Sequence, residues 1–412
     1  MAPYRWGPRC SRRPLLPMLA ELLENTNGGT LMKVVIAPDS FKGSRSSTDV
    51  AADIEKGLRR VFPDAQVVKL PIADGGEGTV EAFLQGAGGT YHHTQVAGPM
   101  GAPVTAQYGV LPDGTAVIEM AAAAGLPLVP EEQRNPLHAT TYGVGQLMLA
   151  ALDRGCRRMI VGLGGSATND GGIGMARALG VSFLDGDGRE LAGTPDDLLR
   201  LADVRIQGMD PRITGTAITL ASDVRSPLCG PRGASAVFGP QKGADPAAVQ
   251  TLDAALAHLA AVVQEKLGVD CMDTPGAGAA GGLGYGLMAF CGARMQSGIQ
   301  AVMEHMDMDR HLEGCSLVIT GEGRLDGQSA FGKVPVGVAQ RAKERGIPVL
   351  AIVGGMGDGA GAVYDCGVDS IMTTVNRAMP LEEAMADAGR LLEDAAERAM
   401  RIIRMGMGLS QE

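Results

Sequence analysis

The sequence predicts an α/β protein: a Rossmann-like parallel-sheet domain built from both ends of the chain, with a second α/β domain inserted between them. Three observations carry this. Short β-branched runs alternate with helical-period segments at each end, a pattern that yields parallel sheet. The middle changes texture, with strand-like segments separated by a hairpin turn. Glycine, at 60 of 412 residues, gathers in runs behind the apolar segments, where backbone must turn sharply or approach a ligand.

Lys33–Ala37 (KVVIA) reads as a buried strand ending at Pro38, and Ser47–Phe62 as a helix with Val50, Ile54, Leu58 and Val61 at helical spacing. Gln66–Ile72 is the second strand and Val80–Leu84 the second helix. Between Gly89 and Ala121, the segments Val104–Val110 and Thr115–Met120 flank Leu111-Pro112-Asp113-Gly114, a hairpin signal. A helix over about Thr141–Arg154 leads to the strand Arg158–Leu163, and residues 185–215 read as loop. Ala217–Ala221 is a strand, Pro246–Leu267 a long helix and Leu283–Gly292 a shorter one. The alternation resumes with strands Leu317–Thr320, Pro348–Val353 and Ser370–Thr373, the helix Lys333–Arg345 and the closing helix Leu381–Met405. The expected boundaries are 32–93 with 293–412 for the Rossmann-like domain and 94–292 for the insert. Residues 1–31 read as a disordered extension or the product of an upstream start codon. Met32 directly precedes the first strand, and Pro17 and Glu21 interrupt the apolar run that loosely mimics a signal peptide.

Composition narrows the function classes. A net charge of −10 repels nucleic acid and anionic lipid, and 3% aromatics argues against a base-stacking platform. The seven cysteines are odd in number, scattered and without a C-x-x-C pair, which disfavours a disulfide framework or a cysteine zinc site. No run reaches the roughly 18 apolar residues of a membrane span. The expectation is a cytoplasmic protein with no nucleic-acid or membrane partner, a homodimer being left open.

Five glycine-bearing segments at expected strand ends carry the candidate chemistry, since ligands in open α/β sheets sit beyond the carboxyl ends of strands. In Pro38–Ser44 (PDSFKGS), Asp39 and Lys42 suit a metal and a phosphate, although an ordinary turn with a solvated lysine explains them as well. In Ala73–Thr79, Asp74 and Glu77 occupy a glycine loop before a helix. Two such carboxylates suit Mg²⁺, which takes one or two of them with phosphate oxygens; helix capping is the alternative.

The third segment, Gly162–Gly172 (GLGGSATNDGG), contains G-x-G-x-x-A, a dinucleotide fingerprint, with Asp185 at about the distance of a ribose-binding acid. Glycines before a helix cradle phosphate whatever ligand carries it. Ser166, Thr168, Asn169 and Asp170, together with Gly164 and Gly165, offer more polar groups than a dinucleotide turn needs and suit phosphoryl positioning. The fourth, Ala221–Leu228, holds Asp223 for a metal or as a base. Arg225, or Lys242 of the nearby FGPQKG, could meet a carboxylate or phosphate, against the alternative of a surface ion pair. In the fifth, Thr320–Lys333, Gly327–Lys333 fits G-x-x-x-x-G-K. Val334 stands where a P-loop needs Ser or Thr, so a Walker A is rejected. What remains is a loop with Gly321, Glu322, Gly323, Arg324, Asp326 and Lys333.

Together and in this order, IAPDSFKGS, ADGGEGT, VGLGGSATNDGG, ASDV with FGPQKG, and ITGEGRLDGQSAFGKVP resemble the type-1 glycerate kinases, over about Met32–Gly406. The resemblance implies ATP-dependent phosphorylation of D-glycerate with Mg²⁺, to 2-phosphoglycerate in preference to 3-phosphoglycerate. Against that chemistry we assign Arg324, Ser40 and Asp39 to the substrate, Arg324 taking its carboxylate. Gly164, Gly165, Ser166, Thr168, Asn169, Lys242, Gly321, Gly323 and Lys333 are assigned to nucleotide phosphates. Asp74, Glu77 and Asp223 are assigned to Mg²⁺, Lys42 to the catalytic set as a point charge on phosphate, and Asp326 or Asp170 to the base. A nicotinamide-dependent oxidoreductase acting on a small hydroxy acid and a non-catalytic organic-acid sensor are the competing classes.

Overall fold

A computed structural model of the chain describes residues 32–73 and 75–409; Asp74 and the extension 1–31 lie outside them. The chain divides into two compact units. One takes the described parts of Met1–Leu70, Asp309–Phe331 and Pro335–Glu412, and the other Pro71–Met308 with Gly332–Val334. The second unit therefore includes the helices Thr79–Ala87 and Gly298–His305, segments that the sequence boundaries put in the end domain.

The first unit is built on an all-parallel sheet in the order Ser370–Thr373, Val349–Val353, Leu317–Thr320, Lys33–Ile36, Gln66–Lys69. Counted within the unit this is 5-4-3-1-2, a doubly wound order whose direction reverses between Lys33–Ile36 and Leu317–Thr320. The helix Ser47–Arg59 forms because Ser46 caps it, accepting the Asp49 N–H at 3.1 Å, and because Val50, Ile54 and Leu58 fall on one face. That face meets Leu392, Ala395, Ala396, Ala399 and Met400 of the closing helix Ala388–Leu409. The two helices approach closely enough that a Cβ on Gly57 would lie 2.2 Å from the Glu393 carbonyl.

The second unit holds a six-stranded mixed sheet in the order Arg294–Gln296, Ala217–Ala221, Arg158–Gly162, Thr115–Glu119, Pro103–Val110, Thr90–Ala97. The first four are parallel and the last two join antiparallel. The predicted hairpin is present, and the strand Thr90–Ala97 extends it. Inside the stretch read as loop, Leu201–Arg205 pairs with Ser182–Asp185. The closing helix is broken at Asp387, with Leu381–Ala386 before it. The helix Pro246–Leu267 is long and apolar enough by length and hydropathy to cross a membrane, but Leu252, Leu256, Leu259 and Val263 bury it in the core of this unit. Among the described residues all cysteines are free.

Candidate active site

In the first unit the reversal of strand order delivers the first and fifth motifs side by side. The Asp39 N–H donates to the Gly321 carbonyl at 2.8 Å. Position 321 must be glycine, because a Cβ there would meet the Ile352 carbonyl at 2.0 Å. A third segment, Gly354–Gly359, completes the group. The N–H groups of Gly354 and Gly355 donate to the carbonyls of Glu322 and Gly323, both at 3.1 Å, and that of Gly357 to Leu325 at 2.7 Å. Arg324–Leu325 and Gly355–Met356 thus pair as a short parallel ladder, which presents Arg324 and Asp326 from regular backbone.

The Arg324 side chain is 75% exposed, with Nε 3.9 Å from Asp326 Oδ2. Asp326 is half-buried; its Oδ1 accepts the Gln328 N–H at 3.0 Å, and its own N–H donates to Ser329 Oγ at 3.1 Å. Lys42 is exposed on the turn closed by Phe41 and Arg45. Asp39 and Ser40 are half-buried, and the Ser40 N–H donates to Asp39 Oδ1 at 2.7 Å. Lys333 is half-buried immediately before the helix Val334–Lys343.

In the second unit three motifs stack at the carboxyl ends of the parallel strands. The Gly164 N–H donates to the Gly75 carbonyl at 3.1 Å, and a Cβ on Gly164 would lie 2.4 Å from Gly76 Cα. On its other side Gly75 abuts the strand end at Ala221, whose carbonyl a Cβ would meet at 2.2 Å. Glu77 and Asp223 are exposed on these loops. Glu119, at the end of Thr115–Glu119 and in register with Gly162, accepts the Val80 N–H at 2.8 Å. Burial pushes its carboxyl up to about 7, Glu77 adds to the rise, and the N–H groups of Val80, Gly78 and Thr79 oppose it.

The Gly162–Gly172 loop divides in two. Gly164 is half-exposed and Gly165 exposed, whereas Ser166, Thr168, Asn169 and Asp170 are buried. Asp170 Oδ2 accepts the Thr141 N–H at 2.7 Å, Thr141 Oγ1–H at 2.8 Å and the Gly174 N–H at 3.2 Å, and Oδ1 accepts the Gly172 N–H at 3.1 Å. The following helix, Ile173–Ala178, has six residues, and its first N–H groups already serve Asp170. An internal carboxylate stands where the sequence reading expected a phosphate. Burial pushes Asp170 up, and with both oxygens engaged it is not placed to take a substrate proton.

Lys242 is 1% exposed and donates to the Thr168 carbonyl at 2.7 Å, so it holds the loop from below instead of reaching a phosphate. Burial pushes it down to about 7, against the charge of Asp170. Asn169 Nδ2 donates to Ser235 Oγ at 3.0 Å. Thr168 Oγ1 and Asn169 Oδ1 are buried without a partner among the described residues. Asp185 spends its Oδ1 on the N–H groups of Asp187 and Arg189, both at 2.9 Å, within its own turn. The acid that a dinucleotide reading needs is therefore a turn former.

Sequence reasoning missed Gly354–Gly359, although glycines directly after the apolar run Val349–Val353 are the same signal as in the other motifs. It also missed Glu119, which reads as the last residue of a strand; its partner lies 39 positions away.

Comparison with known proteins gives one answer. The model of the glycerate kinase family matches residues 34–404. Glycerate 2-kinase of Escherichia coli (strain K12) is 48% identical over 377 residues, covering 91% of this chain and 99% of that protein. Glycerate kinase of Bacillus subtilis (strain 168) is 47% identical, covering 91% and 98%. A crystal structure described as that of a candidate glycerate kinase 2 from Salmonella typhimurium LT2 superposes with a TM-score of 0.82 at 45% identity, over 92% of this chain and all of that one.

Proposed function

The chain belongs to the glycerate kinase family, and from that premise we propose that it transfers the γ-phosphoryl group of ATP to a hydroxyl of D-glycerate, with 2-phosphoglycerate as the favoured product. The observation that carries the reading is the family match across both units together with the name of the Escherichia coli relative. The finer placement in the type-1 branch is supported by the five motifs in their order. We take the two compact units as its two domains, and the cytoplasm as its location.

Phosphoryl transfer needs positioning and charge neutralisation more than covalent help from the protein. The net charge of −10 opposes two anionic substrates, so nearby cations must compensate. Arg324, exposed and carried on a ladder, is the group for the glycerate carboxylate, because its planar fork binds carboxylates bidentately. Lys42 and Lys333 serve phosphates as compact charges. Ser40 and Asp39 sit at the substrate end of the first motif. Asp326, half-buried and with one carboxylate oxygen on the Gln328 N–H, is the base that accepts the hydroxyl proton; Asp170 is reassigned to anchoring the loop.

Mg²⁺ would be held by Glu77 and Asp223, with Asp74. The donor set fits, since all three offer hard carboxylate oxygens, and Glu77 and Asp223 are exposed on their loops. When bound the ion supplies charge neutralisation on the phosphates.

A coupled assay tests the reading: ADP forms with D-glycerate and ATP, and ³¹P resonance assigns the product as the 2-phosphate. Absence of ADP at millimolar D-glycerate overturns it.

A further inference from the structure

Helix Thr79–Ala87 begins at Gly78, a left-handed residue (φ 88°) that offers no side chain to cap the helix. A helix start leaves N–H groups that need an acceptor. Here the acceptor comes from another strand, because Glu119 takes the Val80 N–H at 2.8 Å. The neighbouring N–H groups of Gly78 and Thr79 also favour its charged form, while the Thr79 N–H donates to the Gly76 carbonyl at 3.3 Å. On the near side, Thr79 Oγ1–H donates to the Gly76 carbonyl at 2.7 Å, which closes the loop on itself. The loop so fixed carries Glu77 and packs against Gly164, in the half-exposed rim of the third motif.

We propose that Glu119 is a positioning residue for phosphoryl transfer: its carboxylate clamps the loop Gly75–Thr79 through the Val80 N–H at the start of the helix, and so sets where Glu77 stands relative to the Gly164–Gly165 backbone. The proposal rests on the kinase reading above. Acting by reach and hydrogen-bond acceptance, Glu119 is replaceable by an isosteric amide and not by a shorter acid.

Two variants separate reach from charge. Glu119→Gln keeps the length and an acceptor oxygen; Glu119→Asp keeps the charge but withdraws it by one methylene. Steady-state kinetics with D-glycerate and with MgATP are measured alongside calorimetric binding of MgATP without glycerate. The expected pattern is kcat within threefold of wild type for Glu119→Gln. Glu119→Asp loses kcat tenfold or more and weakens MgATP binding at least fivefold, with KM for D-glycerate within twofold. The proposal is overturned if Glu119→Asp outperforms Glu119→Gln, which marks charge as the active property, or if both stay within threefold of wild type. A general fall of all parameters in step with lost thermal stability also overturns it, since that marks a structural cap. If wild type itself makes no ADP from D-glycerate, the kinase reading fails. The same Gln-against-Asp order in MgATP binding then still decides the role of Glu119.

Discussion

Asp170→Asn should destabilise the second unit by about 3–5 kcal/mol, because it disturbs a buried carboxylate whose bonds are all to internal donors. The carboxylate accepts four donors, three at Oδ2 and one at Oδ1. An amide fits best with its NH₂ at the Oδ1 position, where it faces the Gly172 N–H, donor against donor. That conflict costs roughly 1–3 kcal/mol, and converting three charge-assisted bonds to neutral ones costs about 1 kcal/mol each. The loss also removes the negative charge of Asp170 that opposes the lowering of buried Lys242. Lys242→Met alone removes one charged bond, to the Thr168 carbonyl, for about 2–3 kcal/mol. If the two groups stabilise each other, the double variant Asp170→Asn/Lys242→Met is less damaged than the sum, by about 1–2 kcal/mol. Urea unfolding of all four proteins, without nucleotide, completes the cycle. A single-variant cost for Asp170→Asn below about 1 kcal/mol, or additivity within about 0.5 kcal/mol, would refute the account of a pair holding the loop from inside.

Other substitutions probe the rim of the site. Arg324→Ala should reduce kcat/KM for D-glycerate about tenfold or more, the worth of a charged pair of roughly 1.5–3 kcal/mol, and an unchanged value removes the carboxylate assignment. Asp326→Asn should lower kcat with little change in the KM of either substrate; wild-type kcat would show that Asp326 is not the base. Gly164→Ala forces a Cβ to within 2.4 Å of Gly76 Cα, so the two loops must part. The expected result is at least a tenfold loss of kcat/KM for MgATP with a small shift in Tm, and full activity would mean that the packing of these loops is not used.

The parts of this molecule legible in the sequence are those whose causes are local. Val50, Ile54 and Leu58 mark a one-faced helix within a dozen residues, and it forms over Ser47–Arg59, three residues short of the Phe62 end read from the sequence. Glycines after apolar runs mark strand ends because a close backbone leaves no room for a Cβ, as at Gly321 and Gly75. Strand Thr90–Ala97 was harder, because it lies at the sheet edge and Val96 is its single fully buried residue, so its alternation is faint. Helix Ile173–Ala178 is too short to show a period. The buried part of the third motif is illegible for a different reason. Lysine and aspartate are read as surface residues by default, and only the fold reveals that Lys242 and Asp170 satisfy interior groups.

The pairing of Lys33–Ile36 with Leu317–Thr320, and of Ser47–Arg59 with Ala388–Leu409, has a consequence for synthesis on the ribosome. The first strand emerges early and can meet Gln66–Lys69 at once, but its other neighbour is encoded some 280 positions later. At the usual 5–20 residues per second, the nascent βαβ segment waits roughly 15–55 s with one strand edge and one apolar helix face exposed. The intervening segment Pro71–Met308 carries its own core and can condense meanwhile. A ribosome stall before Leu317 would therefore leave a folded middle tethered to an incomplete beginning, a species for holdase chaperones to shield. The final helix then acts as a completion signal, since Leu392–Met400 covers Val50, Ile54 and Leu58 only once translation is nearly finished.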